Sequence, residues 1–135
     1  MVLRVVRLGS ARAIDEGTRI GTVRRPPRGV PKGEFASKNW YDVWFPNLAP
    51  SALTMKLGQD AKTPGQWAAF IKLYQAEMKR PDNAHAIDLL ATLSHHANFA
   101  VGCYCEKEEH CHRSVLRALL QDRGAKVQRD EPQDD

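Results

Sequence analysis

Asn98-Phe99-Ala100-Val101-Gly102-Cys103-Tyr104-Cys105, then Glu106-Lys107-Glu108-Glu109-His110-Cys111-His112-Arg113, then Ser114-Val115-Leu116-Arg117-Ala118-Leu119-Leu120, reads as strand, short polar loop and helix. Phe99, Val101, Cys103 and Cys105 alternate with Ala100, Gly102 and Tyr104, so apolar side chains fall on both faces of the strand. Such a strand is covered on both sides, as in a parallel sheet. Val115, Leu116, Leu119 and Leu120 recur at helical spacing. Gly124 follows Arg123 as the residue just past the helix end. Ala125 to Gln128 reads as a final short strand reached by a right-handed crossover. The loop thus stands at the carboxyl end of a strand and beside a helix N-terminus, where open α/β sheets bind ligands.

Working outward, Val2 to Leu8 and Arg19 to Val23 are rich in β-branched residues and read as two further strands. Arg24-Arg25-Pro26-Pro27-Arg28-Gly29-Val30-Pro31-Lys32-Gly33 leaves the second strand with three prolines and two glycines, too broken for a helix or a central strand. Trp40 to Phe45 is an aromatic cluster that Pro46 and Pro50 keep from forming a long helix, so a buried turn is expected there, with the chain restarting near Ser51. Thr63-Pro64-Gly65-Gln66 is a helix start, with Thr63 as cap, Pro64 first and Gln66 closing a capping box. Trp67, Phe70, Ile71, Tyr74 and Met78 form the buried stripe that follows. Pro81 is expected to end that helix. Asp82 or Asn83 caps the next one, whose apolar face is Ala86, Leu89, Leu90 and Leu93.

The 135 residues suit one domain over 1–129 with an acidic flexible tail over 130–135. No run approaches the ~20 apolar residues of a membrane span. Residues 1–8 alternate Arg with apolar side chains, unlike a signal peptide. The three cysteines are odd in number and lie in one loop, which argues against a disulfide framework and for a reducing cytoplasm. Residues 1–38 carry nine Lys/Arg against three Asp/Glu, a balance of +6, while the remainder balances at −2. A basic N-terminal third attracts phosphate-bearing partners.

Three chemistries compete for the loop. In the first, backbone N–H groups and the dipole at the final helix hold an anion. Arg113, with Ser114 beside it, supplies donors there, and Arg24 and Arg28 reach in from the proline loop. The same field lowers the pKa of Cys111, making it a nucleophile. His110 or His112 carries the proton, and Glu106 orients a histidine or Arg113. The spacing is not that of the Cys-x5-Arg phosphatase loop. In the second, Cys103, Cys105, Cys111 and a histidine hold zinc, although Cys103 and Cys105 are not spaced as a Cys-x2-Cys knuckle. In the third, the cysteines are packing residues and no cofactor is bound.

Arg24-x-x-Pro27-Arg28-Gly29, Asn47-Leu48-Ala49-Pro50-Ser51, Cys103-Tyr104-Cys105-Glu106…Cys111-His112-Arg113-Ser114 and Arg123-Gly124-Ala125 together resemble the domain-of-unknown-function 488 (DUF488) family over nearly the whole chain. The resemblance implies a compact, Rossmann-like three-layer α/β domain, with a small, mostly parallel sheet and helices on both faces. It also implies that the Arg24–Arg28 loop and the Cys105–Arg113 loop border one pocket. It brings no reaction. The expectation is an intracellular enzyme or ligand-binding domain acting on a phosphate-bearing substrate, such as a nucleotide or nucleic acid. The alternatives are a non-enzymatic nucleic-acid-binding module and a zinc-stabilised domain.

Overall fold

The computed structural model describes residues 1–128, so the tail expected at 130–135 lies outside the described residues. Four strands, β1 (Leu3–Arg7), β2 (Thr18–Gly21), β3 (Val43–Trp44) and β4 (Phe99–Cys103), form one sheet in the order β1-β4-β2-β3, every neighbouring pair parallel. Four α-helices complete the α/β domain: α1 (Ala52–Asp60), α2 (Pro64–Met78), α3 (Pro81–Leu93) and α4 (His112–Asp122). All five residues of β4 are buried, as a central strand covered on both faces requires.

On one face, Phe99 and Val101 of β4 lie level with Leu3 and Val5 of β1. They pack with Phe70, Tyr74, Met78, Ile87, Leu90, Leu116 and Leu120 from α2, α3 and α4. Burying one such side chain stabilises by about 1.5–3 kcal/mol. The other face is built on small residues. A Cβ at Gly21 would stand 2.4 Å from the Tyr41 ring, and one at Gly102 would stand 2.6 Å from the Val6 carbonyl oxygen. Arg19 is fully buried there, bonded by its guanidinium to Glu16 at 2.8 and 2.9 Å and to the carbonyls of Ser10 at 2.9 Å and Asn39 at 2.7 Å. Both faces are therefore covered, as expected, but the second by segments 8–17 and 22–42 rather than by an α-helix. The connections explain this division. β3 to β4, and β4 onward through α4, step one way across the sheet, while β1 to β2 and β2 to β3 step the other. Right-handed crossovers in opposite directions lie on opposite faces.

Local sequence explains most boundaries. Thr63 caps α2 by accepting from Gln66 N at 3.2 Å, and the Gln66 side chain accepts from Lys62 N at 2.7 Å. Two helical expectations need correcting. α2 already stops at Met78, and Pro81 opens α3, where its fixed φ suits the first helical position. The buried face of α3 is Ile87, Leu90 and Ala91, whereas Leu89 and Leu93 are 59% and 41% exposed; the i, i+3, i+4 pattern begins one residue later than expected. The expected buried turn at Trp40–Phe45 contains the edge strand β3 instead. Asp42 N donates to Arg19 O at 2.8 Å and Phe45 N to Gly21 O at 2.9 Å, which recruits Val43 and Trp44 beside β2. After α4, Gly124 adopts a φ of 86° and Val127 makes a single parallel bridge to Leu3, in place of a full strand. No helix among the described residues is long and apolar enough to cross a membrane.

Candidate functional site

Because the strands are parallel, β1, β2 and β4 deliver their carboxyl ends to one side of the sheet. A cavity of about 980 Å³ opens there, walled by the residues that follow these strands and by α1 and α2. Arg7, Arg24, Arg25, Arg28 and Lys56 line it, and no described carboxylate does. Trp40, Tyr104, Trp67 and Phe70 supply aromatic wall. Trp40 meets Tyr104 edge-on at 5.8 Å, and Trp67 stacks on Phe70 at 4.7 Å. The Tyr104 hydroxyl donates to Arg25 O at 2.8 Å, tying the end of β4 to the proline loop. α1 is held over the cavity by Glu77 of α2. Its carboxylate accepts from Ser51 N at 2.8 Å, from Ser51 Oγ at 2.7 Å and from Thr54 Oγ1 at 2.7 Å. These hydrogen bonds outweigh burial and keep the Glu77 pKa below the usual carboxylate range.

The floor is a cluster of sulfur and imidazole. Cys103, at the end of β4, and Cys111, which caps α4, are both 2% exposed. Cys105 is exposed to the cavity. Arg113 N donates to Cys111 Sγ at 3.5 Å, and Cys105 N donates to Cys103 Sγ at 3.4 Å. The three thiols share hydrogen bonds that sort their acidities. Those from Cys103 and then Cys111 draw the Cys105 thiol far down, with the Arg113 charge adding to the effect against burial. Cys103 is pushed up in return. Cys111 is lowered by its bond with Cys103, but Cys105 and burial outweigh this and leave it at about 11. Of the three, the thiol drawn toward ionisation is the one that faces the cavity.

His112 is buried, its ring 5.5 Å from that of Tyr74. Burial pulls its pKa down to about 4, against a hydrogen bond to Thr22 that raises it. Its Nε2 stands 2.8 Å from Thr22 O and its Nδ1 3.8 Å from Cys111 Sγ. A carbonyl only accepts, so Nε2 carries the proton and Nδ1 turns a lone pair toward the sulfurs.

The residues singled out in the sequence are sorted by this geometry. Arg24, Arg28, His110, Cys111 and His112 all line the cavity, as do Cys103 and Cys105. Arg24 donates to the carbonyls of Pro50 and Ala49 at 3.0–3.2 Å, so its guanidinium also braces the wall. His110 is exposed and packs edge-on to Trp67 at 5.8 Å. Arg113 and Ser114 are not among the lining residues. Arg113 is 4% exposed and donates to Cys105 O at 2.7 Å, holding the cysteine loop from beneath, while its buried Nε has no hydrogen-bond partner among the described residues. Ser114 Oγ donates to Cys111 O at 2.9 Å. Glu106 is exposed and outside the lining. The expected depression of the Cys111 pKa by the helix end is not found, since two neighbouring thiols compete for the same stabilisation and Cys105 wins.

Arg7, Arg25, Lys56, Trp40, Tyr104 and Trp67 line the cavity without having been singled out for a site. Arg25 belonged to a loop already noticed, and Arg7 is the last residue of a strand parallel to β4. Either could have been found by asking what stands at strand ends. Lys56 depends on how α1 docks, which no local pattern encodes.

A family model described as the active DUF488-N3 subclade matches residues 3–124. No curated protein and no solved structure matches the chain.

Proposed function

The chain belongs to the DUF488 family, and from that premise we propose that its cavity recognises a phosphate-bearing substrate with an aromatic base, a nucleotide or a nucleic-acid strand, and presents Cys105 to it as the reactive sulfur. The observation that carries this reading is the lining: five cationic side chains, no described carboxylate and four aromatic rings around one space. Unopposed positive charge in a concave site focuses the field on anions. Arginine forks match phosphate oxygens, and aromatic faces accept bases of any sequence. Arg25 and Arg28 stand exposed on the proline loop where they meet the phosphate first. Arg113 acts as a positioning residue through the Cys105 carbonyl. His110, on the rim, is the proton carrier with access to solvent, while His112 stays neutral inside the cluster.

Calorimetric titration with inorganic pyrophosphate and with a nucleoside triphosphate tests the reading. Binding of both, tighter for the nucleotide and weakened by R25A/R28A, supports it. Absence of any heat at millimolar ligand ends it. A second reading, a nucleic-acid-binding module without chemistry, draws on Arg25, Arg28 and Lys32, all exposed on one loop. Oligonucleotide affinity with a steep salt dependence, unchanged in C105S and H110A, would favour that module over the enzyme.

A further inference from the structure

The sulfur cluster contains more than a lone reactive thiol needs. Sγ of Cys103, Sγ of Cys111 and a ring nitrogen of His112 all lie within 4.8 Å of one another, and all three residues are buried. Beside them, the Cys105 backbone N–H donates to Cys103 Sγ at 3.4 Å, and the Cys105 side chain lines the cavity. The imidazole is already set for ligation: its Nε2–H is fixed by Thr22 O at 2.8 Å, which leaves the Nδ1 lone pair turned to Cys111 Sγ at 3.8 Å. Metal-ligating histidines are oriented in this way, by donating their other ring N–H to a carbonyl or carboxylate. Two sulfurs accept backbone N–H groups, Cys111 from Arg113 and Cys103 from Cys105, and such donors favour the thiolate form that metals bind. Packing alone accounts for buried thiols. It does not account for a buried imidazole whose lone pair is aimed at them.

We propose that Cys103, Cys111 and His112 form three sides of a tetrahedral site for a soft divalent ion, zinc by its preference for this donor set, with Cys105 as the fourth ligand on the cavity side. Bond lengths of about 2.3 Å to sulfur and 2.0–2.1 Å to nitrogen place tetrahedral donor atoms about 3.5–3.8 Å apart. Cys103, Cys111 and His112 reach that geometry by drawing in about 1.3 Å at most, and Cys105, outside that group but bonded through its N–H to Cys103 Sγ, closes in from the cavity side. Three thiolates and a neutral imidazole around a doubly charged ion leave one negative charge, and Arg113, bonded to the Cys105 carbonyl, balances it with a buried Nε that has no hydrogen-bond partner among the described residues. The ion would sit at the cavity floor, with Cys105 the one exposed ligand between it and whatever occupies the cavity.

The inference goes beyond the phosphate reading and has its own readout. The untagged chain, purified under reductant and without chelator, is assayed for zinc by elemental analysis. The apo-protein is then titrated with cobalt(II) and followed by thiolate-to-cobalt charge transfer in the near ultraviolet and tetrahedral ligand-field bands in the visible. The expected result is zinc close to one equivalent per chain and a tetrahedral cobalt spectrum. H112Q should lose at least 10-fold in affinity, the scale on which even supporting residues act at metal sites. C105S should keep the ion with a weaker charge-transfer band. Zinc at the level of a control protein with no charge-transfer band overturns the proposal, as does a Cys103–Cys111 disulfide in the chain isolated without reductant. If H112Q does not fold, C105S decides the ligand set, because Cys105 is exposed: an unchanged cobalt spectrum there refutes it. Pyrophosphate titration of the same samples separates the two readings. Zinc without phosphate affinity sinks the substrate, and phosphate affinity without zinc sinks the metal.

Discussion

Replacing Arg19 with methionine removes the strut that holds one whole face of the sheet. Arg19 is fully buried and Glu16 is 2% exposed. Their two-point contact at 2.8 and 2.9 Å, with carbonyls of Ser10 and Asn39 completing the guanidinium, is a buried ion pair with every guanidinium nitrogen bonded. R19M leaves the Glu16 carboxylate buried without its partner and takes the guanidinium donor away from the Ser10 and Asn39 carbonyls, of which Asn39 O keeps Gly9 N at 2.8 Å. Breaking a buried pair from one side costs about 3–5 kcal/mol. Against a total of roughly 5–15 kcal/mol for a domain, that is a large fraction. For a chain of this length it corresponds to a fall in Tm of about 10 °C or more. The double variant R19M/E16L removes both charges and should recover much of the loss, because no uncompensated ion remains. Urea denaturation followed by circular dichroism measures all four corners of the cycle. Additivity of the two single changes, or a cost for R19M under about 1 kcal/mol, would refute the account of this face. Site geometry should follow stability here, since Ser10 and Trp40, both in the cavity wall, adjoin the residues that Arg19 holds.

Other outcomes follow from the same geometry. G21A drives a methyl to within 2.4 Å of the Tyr41 ring and should cost about 1–3 kcal/mol, whereas G33A, with nothing within 4 Å of its Cβ, should not; thermal melts distinguish them. The lowered pKa of Glu77 means the unfolded chain binds that proton more readily, so its contribution is complete above the ordinary carboxylate pKa and lost as pH falls through the folded value. E77Q should flatten the acid limb of the stability curve and loosen α1 in hydrogen exchange. R25A/R28A should reduce the salt slope of oligonucleotide binding by about one per residue without altering Tm. Y104F, which loses the hydroxyl bond to Arg25 O, should weaken nucleotide binding through the position of the proline loop, with zinc content unchanged.

β4 was legible because its residues are apolar on both faces, a pattern that a central parallel strand needs and few other elements show. The start of α2 was legible because Thr63, Pro64 and Gln66 encode it locally. The phase of α3 was not, since Leu89 and Leu93 are as apolar as Ile87 and Leu90 and only docking decides which are covered. β3 was missed for a related reason: two residues gain strand geometry from their neighbour β2, and nothing within Val43-Trp44 announces it. Arg19 was placed in a strand without its burial being seen, because that burial depends on Glu16 and on carbonyls reached through two loops. At the site, the two loops that line the cavity were visible as strand ends carrying basic or sulfur side chains. The ranking of the thiols was not. It turns on how deeply each sulfur is buried and what stands beside it, which the Cys103-x-Cys105…Cys111 spacing leaves open. Arg113 was assigned to a ligand because arginines at helix starts often hold one, whereas here its buried guanidinium supports the Cys105 carbonyl.

One sulfur faces one cationic cavity, and alkylation of Cys105 tests that pairing most directly. The reduced chain, freed of metal by chelator, is treated with iodoacetamide at pH 6, and modified peptides are counted by mass spectrometry with and without pyrophosphate. Cys105 should react first and faster than glutathione, and pyrophosphate should slow it in the native chain but not in R25A/R28A. Labelling of Cys105 no faster than glutathione, or at a rate indifferent to pyrophosphate, would contradict the account.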